Sequence, residues 1–343
     1  MPAANLPIFR KALEWQHAGR AVAMATVVET WGSAPSPAGS HLVVEQGGDF
    51  LGSVSGGCVE TEVIVAALEV MQKNAPRLLE FGVADETAWR AGLSCGGRLK
   101  IFVEHVGAAQ AALLATLADE CAARRACVLV GDIDTGEQRL VRASEAAADP
   151  LAELLTARLR NGRSGLIEQS GRRLFFDVQM PSVRLFLIGA THIAQTLAEA
   201  ARLAGFEVTV IDPRTAFATP KRFPGTPVVA GWPETALPDL GLDGFTAVAL
   251  LAHYPRIDDP ALGAALRAKC FYIGALGSRT THAKRLERMR AAGFCEADLG
   301  HIHAPIGLPI GAANGAEIAI AILAEIIAVL RQGNSSGNAG KAD

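Results

Sequence analysis

The run from Val183 to Asp212, VRLFLIGATHIAQTLAEAARLAGFEVTVID, leaves the second half of this chain few folds to adopt. A short apolar stretch is broken by a glycine, an apolar periodicity of helical spacing follows, and a second apolar stretch ends on an acid. Strand, glycine turn, helix, glycine, strand and terminal acid in this order open a Rossmann-type sheet, with Gly189 at the turn and Asp212 about 20 residues on. Further strands are expected at PVVA, AVALLA and CFYIG with helices between them, giving a doubly wound parallel sheet from about Val183 to Arg331. The last helix, from Ala316 to Leu330, is apolar on nearly all sides and is expected to be buried, in the sheet layer or in a subunit interface.

Composition narrows the function classes. With 343 residues the chain has room for two or three domains, each with its own core. Its net charge of −3 gives no electrostatic footprint for nucleic acid or a membrane surface. The N-terminus lacks the apolar core of a signal peptide, and no uncharged apolar run reaches spanning length. The six cysteines are scattered without a C-x-x-C pair, the pattern of a reducing compartment, so a cytoplasmic location is expected.

The first half reads as an α/β domain with glycine-rich loops. A helix near Pro7 to Gly19 leads into the strand AVAMATVVET, the loop WGSAPSPAGS and a hairpin turned at Gly47 and Gly48. The loop GSVSGGCVE then carries Ser55, Gly56, Gly57 and Cys58 into a helix, so that Cys58 stands at a helix N-terminus where a thiolate is favoured. On local features alone this stretch is either a tight strand-to-helix turn or a site. A second glycine-flanked cysteine follows in AGLSCGG, with Cys95 and Gly96. The expected domains are residues 1–107, an α/β extension or linker region at 108–180 with no chemical constellation, the Rossmann-like domain at 181–332 and a disordered tail at 333–343.

The Rossmann fingerprint is incomplete. A dinucleotide site requires G-x-G-x-x-G, and here Thr191 puts a β-branched side chain where the pyrophosphate approaches. NAD(P) binding is therefore disfavoured, although the helix N-terminus remains an anion site. A second anion site is expected in IGALGSR, where Gly277, Ser278 and Arg279 precede a helix. His192 and His253 follow strand ends and are candidates for hydrogen bonding in the crevice at the sheet edge. His301 and His303 can share one side of a strand, yet no zinc-ligand spacing accompanies them. Cys121, Cys127, Cys270 and Cys295 read as small core residues, and no hydrolytic triad is evident.

The segments ETWGSAPSPAGS, GSVSGGCVE, LSCGG, RFPG, HYPRIDDPAL, YIGALGSR, HAPIGLPIGA and EIAIAILAEIIA, in this order, resemble the XdhC/CoxI family of accessory factors for xanthine dehydrogenase and related molybdenum hydroxylases. The resemblance implies a protein that binds molybdenum cofactor, protects it during sulfuration by a cysteine desulfurase and delivers it to the apo-hydroxylase. It implies molybdopterin, in the mononucleotide or dinucleotide form, as the ligand, and Cys58 and Cys95 as thiols near its molybdenum. It also implies Gly277, Ser278 and Arg279 as holders of its phosphate, and it fits a homodimeric cofactor chaperone better than an enzyme. Thr191, Ala252 and Asn314-Gly315 depart from the family pattern, all in the Rossmann half. An NAD(P)-dependent oxidoreductase using that half is the alternative, and a protein that only bridges desulfurase and target is a third.

Overall fold

The computed structural model describes residues 5–32, 34, 36–82, 98–169 and 171–332. The chain divides into two compact units, Met1–Pro181 and Ser182–Asp343.

In the first unit, helix α1 (Leu6–His17) precedes strands β1 (Val22–Trp31), β2 (His41–Glu45) and β3 (Phe50–Gly52). Helix α2 (Glu60–Lys73), strands β4 (Arg77–Phe81) and β5 (Arg98–His105) and helix α3 (Ala108–Ala122) follow. The strands form an antiparallel sheet in the order β3-β2-β1-β5-β4. Successive side chains of a strand face opposite ways, and β1 is apolar on both faces. Ala23, Ala25 and Val27 pack under Val63, Ala67 and Val70 of α2. Val22 and Met24 meet Phe9 and Ala12 of α1 and Leu114 and Leu117 of α3.

A second antiparallel sheet comprises β6 (Cys127–Asp132), β7 (Gln138–Arg142), β8 (Gly165–Gln169) and β9 (Arg172–Gln179) in the order β7-β6-β9-β8. Helix α4 (Ala152–Asn161) lies within this stretch, and its Leu155 packs with Leu174, Phe176 and Val178 of β9. The alternate residues Phe175, Asp177 and Gln179 point the other way, and all three are buried.

The second unit is a doubly wound parallel sheet. Its strands are β10 (Arg184–Ile188), β11 (Glu207–Ile211), β12 (Val228–Val229), β13 (Thr246–Leu250), β14 (Tyr272–Ala275) and β15 (Ile302–His303), in the order β12-β11-β10-β13-β14-β15. Every neighbouring pair is parallel. Leu185 and Leu187 face helices α5 (His192–Leu203) and α10 (Gly315–Gln332). Phe186 and Ile188 face α6 (Pro233–Leu240), α7 (Pro255–Arg267), α8 (Arg279–Ala291) and the short α9 (Glu296–Leu299). Both faces are covered, which is why these strands read as continuous apolar runs. The final helix buries Ala319, Ile322, Leu323 and Ile326 but leaves Ile320 51% exposed. Its burial is one-sided because a helix laid on a sheet has only one face to give.

Candidate functional site

After β3 the chain turns through Ser53 to Val59 into α2, with Gly56 (φ +73°) and Gly57 (φ +114°) in the left-handed region. Nothing lies within 4 Å of a Cβ built at either glycine, so they are needed for backbone conformation and not for space. Glu60, the first residue of α2, turns back into the loop. Its carboxylate accepts from Ser53 Oγ (2.7 Å), the amides of Val54 (3.2 Å), Ser55 (2.9 Å) and Gly57 (2.9 Å), and Ser55 Oγ. Burial pushes its pKa up, but the hydroxyls of Ser55 and Ser53 and the backbone N–H of Ser55 outweigh it and bring it down to about 2. The N–H groups that would cradle an external phosphate therefore already hold an internal carboxylate. What the loop presents is Cys58, half-buried, one residue ahead of the helix cap Val59. Cys95 and Gly96 lie outside the described residues.

At the carboxyl edge of the parallel sheet the same arrangement recurs. Gly189 (φ +106°) forms the turn after β10, where a Cβ would stand 2.6 Å from Ala252 N in the loop after β13. Thr191 caps α5 by accepting from Ala194 N at 3.3 Å, so it occupies the helix N-terminus as a cap. Asp212 is fully buried. Its Oδ2 accepts from Ala190 N (2.7 Å) and Arg214 Nη2 (2.7 Å), and its Oδ1 from Arg214 N and Nε (both 2.9 Å). These bonds fill the acceptor positions of a carboxylate, leaving none for a ribose hydroxyl. His192 is exposed at the first position of α5, with its ring against Gly315.

Farther along this edge, His253 is exposed with φ +58°, and Gly277 (φ +136°) leads into Ser278, whose hydroxyl caps α8 by accepting from Thr281 N at 3.2 Å. Arg279 is exposed at the first position of α8. Asp258 and Arg285, each 2% exposed, belong to the same neighbourhood. Arg285 Nη2 donates to Leu276 O (3.0 Å), while its Nε and Nη1, Asp258 Oδ1 and His282 Nδ1 are buried without a hydrogen-bond partner. Burial pushes Asp258 up to about 7, against the pull of Arg285 and of the Ala252 and His253 amides. Partial enclosure of their rings, then the Arg285 charge, holds His253 and His282 below the ordinary histidine value. The sequence signalled His253, Ser278 and Arg279; Asp258, His282 and Arg285 sat unremarked in helical stretches.

In the first unit the fold assembles a polar layer from residues far apart in the chain. Thr26 Oγ1 lies 3.0 Å from His41 Nδ1, and His41 Nε2 lies 3.1 Å from Asp177 Oδ2 without hydrogen-bond alignment. Gln179 Nε2 donates to Asp177 Oδ1 (2.7 Å), and Asn5 Nδ2 to Gln179 Oε1 (3.3 Å). A chamber of about 40 Å³ borders His41, Asp177 and Glu104. The carboxyl end of Glu104 is enclosed, and burial pushes its pKa up to about 7 against two hydrogen bonds from Gln138 (2.7 and 2.9 Å). The stretch 108–180 thus contributes Asp177 and Gln179 to a constellation after all. The available signal was Phe175-Asp177-Gln179, two polar residues on the alternate face of a strand.

Among the described residues no cluster of three or more His, Cys, Asp or Glu side chains is placed to hold a metal ion. His303 stacks on Tyr272 (4.7 Å) and pairs with Glu325 (3.3 Å), while His301 is exposed in a turn. Cys295, expected in a core, is exposed and caps α9, its Sγ donating to Asp298 Oδ2 at 3.1 Å, because the helix it starts is short and polar.

Residues 15–82 match the XdhC and CoxI family, and residues 185–326 match the XdhC Rossmann domain. The molybdenum cofactor insertion chaperone PaoD of Escherichia coli (strain K12) is 31% identical over 323 residues, covering 94% of this chain and 87% of that protein. A protein of Bacillus subtilis (strain 168) described as a probable xanthine dehydrogenase subunit is 26% identical over 310 residues, covering 89% of this chain and 92% of that protein. A crystal structure from Bacillus halodurans, described as a xanthine dehydrogenase, shares the fold with a TM-score of 0.62 at 22% identity, over 98% of both chains.

Proposed function

The chain belongs to the XdhC and CoxI family, and from that premise we propose that it is a molybdenum-cofactor accessory factor, a chaperone and not an enzyme, acting for a molybdenum hydroxylase such as xanthine dehydrogenase. It binds the cofactor, shields it during sulfuration by a cysteine desulfurase and delivers it, working in the cytoplasm as a homodimer. The observation that carries this reading is the loop tied by Glu60. It spends its own N–H groups on a fixed carboxylate and holds a half-buried thiol, Cys58, at a helix start. A soft thiol suits a soft metal centre, and Cys95 is its proposed companion.

The residues in hand fit the parts of such a cofactor unequally. The cofactor supplies the dithiolene-bound metal; this chain supplies binding, orientation and exclusion of water. A phosphate is disfavoured at the Glu60 loop, where a carboxylate already stands. The edge carrying Gly277, Ser278 and Arg279, with the buried positive charge of Arg285 in the same neighbourhood, suits it better. Gly189, His192, Asp212 and His253 then shape the crevice. The saturation of Asp212 by Arg214 and Ala190 counts against an NAD(P)-dependent oxidoreductase.

Molybdenum content of protein isolated anaerobically from cofactor-producing cells tests the reading. The wild type is expected to carry molybdenum, and Cys58→Ala and Cys95→Ala to lower it. Full retention in both variants overturns the thiol assignment. Pull-down of the desulfurase and hydroxylase without any bound cofactor would instead make the protein a bridge.

A further inference from the structure

Within the Met1–Pro181 unit an open groove of about 820 Å³ is walled by backbone from separate parts of the sequence. One wall is Pro37 to Ser40, the end of the WGSAPSPAGS stretch. Another is Gly52 and Ser53, where GSVSGGCVE begins, and a third is Gly162 to Ser164. The walls approach closely enough to require glycine. At Gly39 (φ +88°) a Cβ would stand 2.5 Å from Ser164 Oγ, and at Gly52 (φ +102°) it would collide with the His41 carbonyl.

The groove has the size and lining of a ligand site. Its volume falls inside the ~300–1,000 Å³ typical of small-molecule pockets. His41, 4% exposed, borders it, and its Nε2 stands 3.1 Å from Asp177 Oδ2, which borders the smaller 40 Å³ chamber. Ile8, Leu51 and Val178 add apolar surface, and Arg163 is exposed at the rim. Ser53 belongs to groove and cysteine loop alike, since its Oγ donates to Glu60 and accepts from Gly56 N (2.8 Å). Polar floor, apolar walls and a rim cation together match a flat heterocycle with hydrogen-bonding edges and an anionic tail.

We propose that this groove binds the pterin body of the molybdenum cofactor, with His41 at its floor and Arg163 facing an anionic substituent. The assignment rests on the accessory-factor reading and adds to it a place on this chain. It also gives Pro37 to Ser40 a role, as a wall of the site.

Two substitutions test it in the full-length protein. Ala38→Trp fills the groove from its wall, and Arg163→Glu reverses the rim charge at an exposed position. Protein is isolated anaerobically from cofactor-producing cells, its pterin is released and oxidised to a fluorescent form, and pterin per chain is measured with the thermal midpoint. The wild type is expected to carry pterin, and each variant about tenfold less, the equivalent of ~1.4 kcal/mol, at an unchanged midpoint. Arg163→Lys is expected to restore most of it. Wild-type loading in both Ala38→Trp and Arg163→Glu overturns the groove while leaving the accessory-factor reading in place. A wild type that carries no pterin overturns both.

Discussion

Two carboxylates in the first unit meet opposite fates, and each sets a measurable pH dependence. Glu60 is held at about 2, below its ordinary 4.5, so its contribution is complete above pH 4.5 and is lost as pH falls through 2. Glu60→Gln removes the charge that gathers the loop and is expected to cost ~1–3 kcal/mol at pH 7, with the difference from wild type shrinking below pH 4.5. Urea unfolding at pH 7 and pH 3 measures both. Glu104 runs the other way. Its folded pKa of about 7 lies above 4.5, so the folded state keeps a proton that the unfolded chain gives up, and stability falls as pH rises from 4.5 to 7. Glu104→Gln is expected to stabilise by ~1–3 kcal/mol at pH 8 and to match wild type near pH 4. A variant equally stable at pH 8 would show that the enclosed carboxyl is not strained by its charge.

At the scale of elements, the turns at the sheet edge are set by close approach. Gly189→Ala places a Cβ 2.6 Å from Ala252 N at a left-handed position, so one of the two turns must shift. A loss of ~2 kcal/mol or more is expected, about 4 °C or more in thermal midpoint for a unit of this size. The neighbouring Asp212 carries a prediction about ligands. With its oxygens saturated by Arg214 and Ala190, fluorescence titration with NADH is expected to show no saturable binding below millimolar concentration, the ~4 kcal/mol level of a nonspecific site. Tight binding with hydride transfer would restore the oxidoreductase alternative. These elements were largely legible. Strand, turn and helix followed from periodicity and glycine, and Thr191, read as an obstacle to a pyrophosphate, stands in the structure as the cap of α5. The turns after β10 and β14 read as anion sites, however, because free N–H groups are visible in a motif while the side chains that fill them, Asp212 and Ser278, are not. In the sequence Glu60 is one more residue of a helix and Asp212 the acid that ends a Rossmann unit.

For the whole molecule, the division at Pro181 separates two units with cores of their own, two antiparallel sheets before it and the parallel sheet after it. Residues 182–343 expressed alone are expected to unfold in one cooperative calorimetric transition, and a fragment without one would show that its core depends on the first unit. What the sequence by itself determined was periodic: the alternation of the strands, the order of the parallel sheet units, and the family segments with Cys58 and Cys95 among them. Such information is local or carried by motif, and it survives without coordinates. What only the tertiary structure decided was the company each side chain keeps. Asn5, Thr26, His41, Glu104, Asp177 and Gln179 come from distant segments and meet only because two sheets pack. Asp258 and Arg285 became buried ionisable neighbours only once α7 and α8 were laid against one sheet face. Burial and long-range pairing set the energies of these groups, and neither is written in the spacing of residues along a chain.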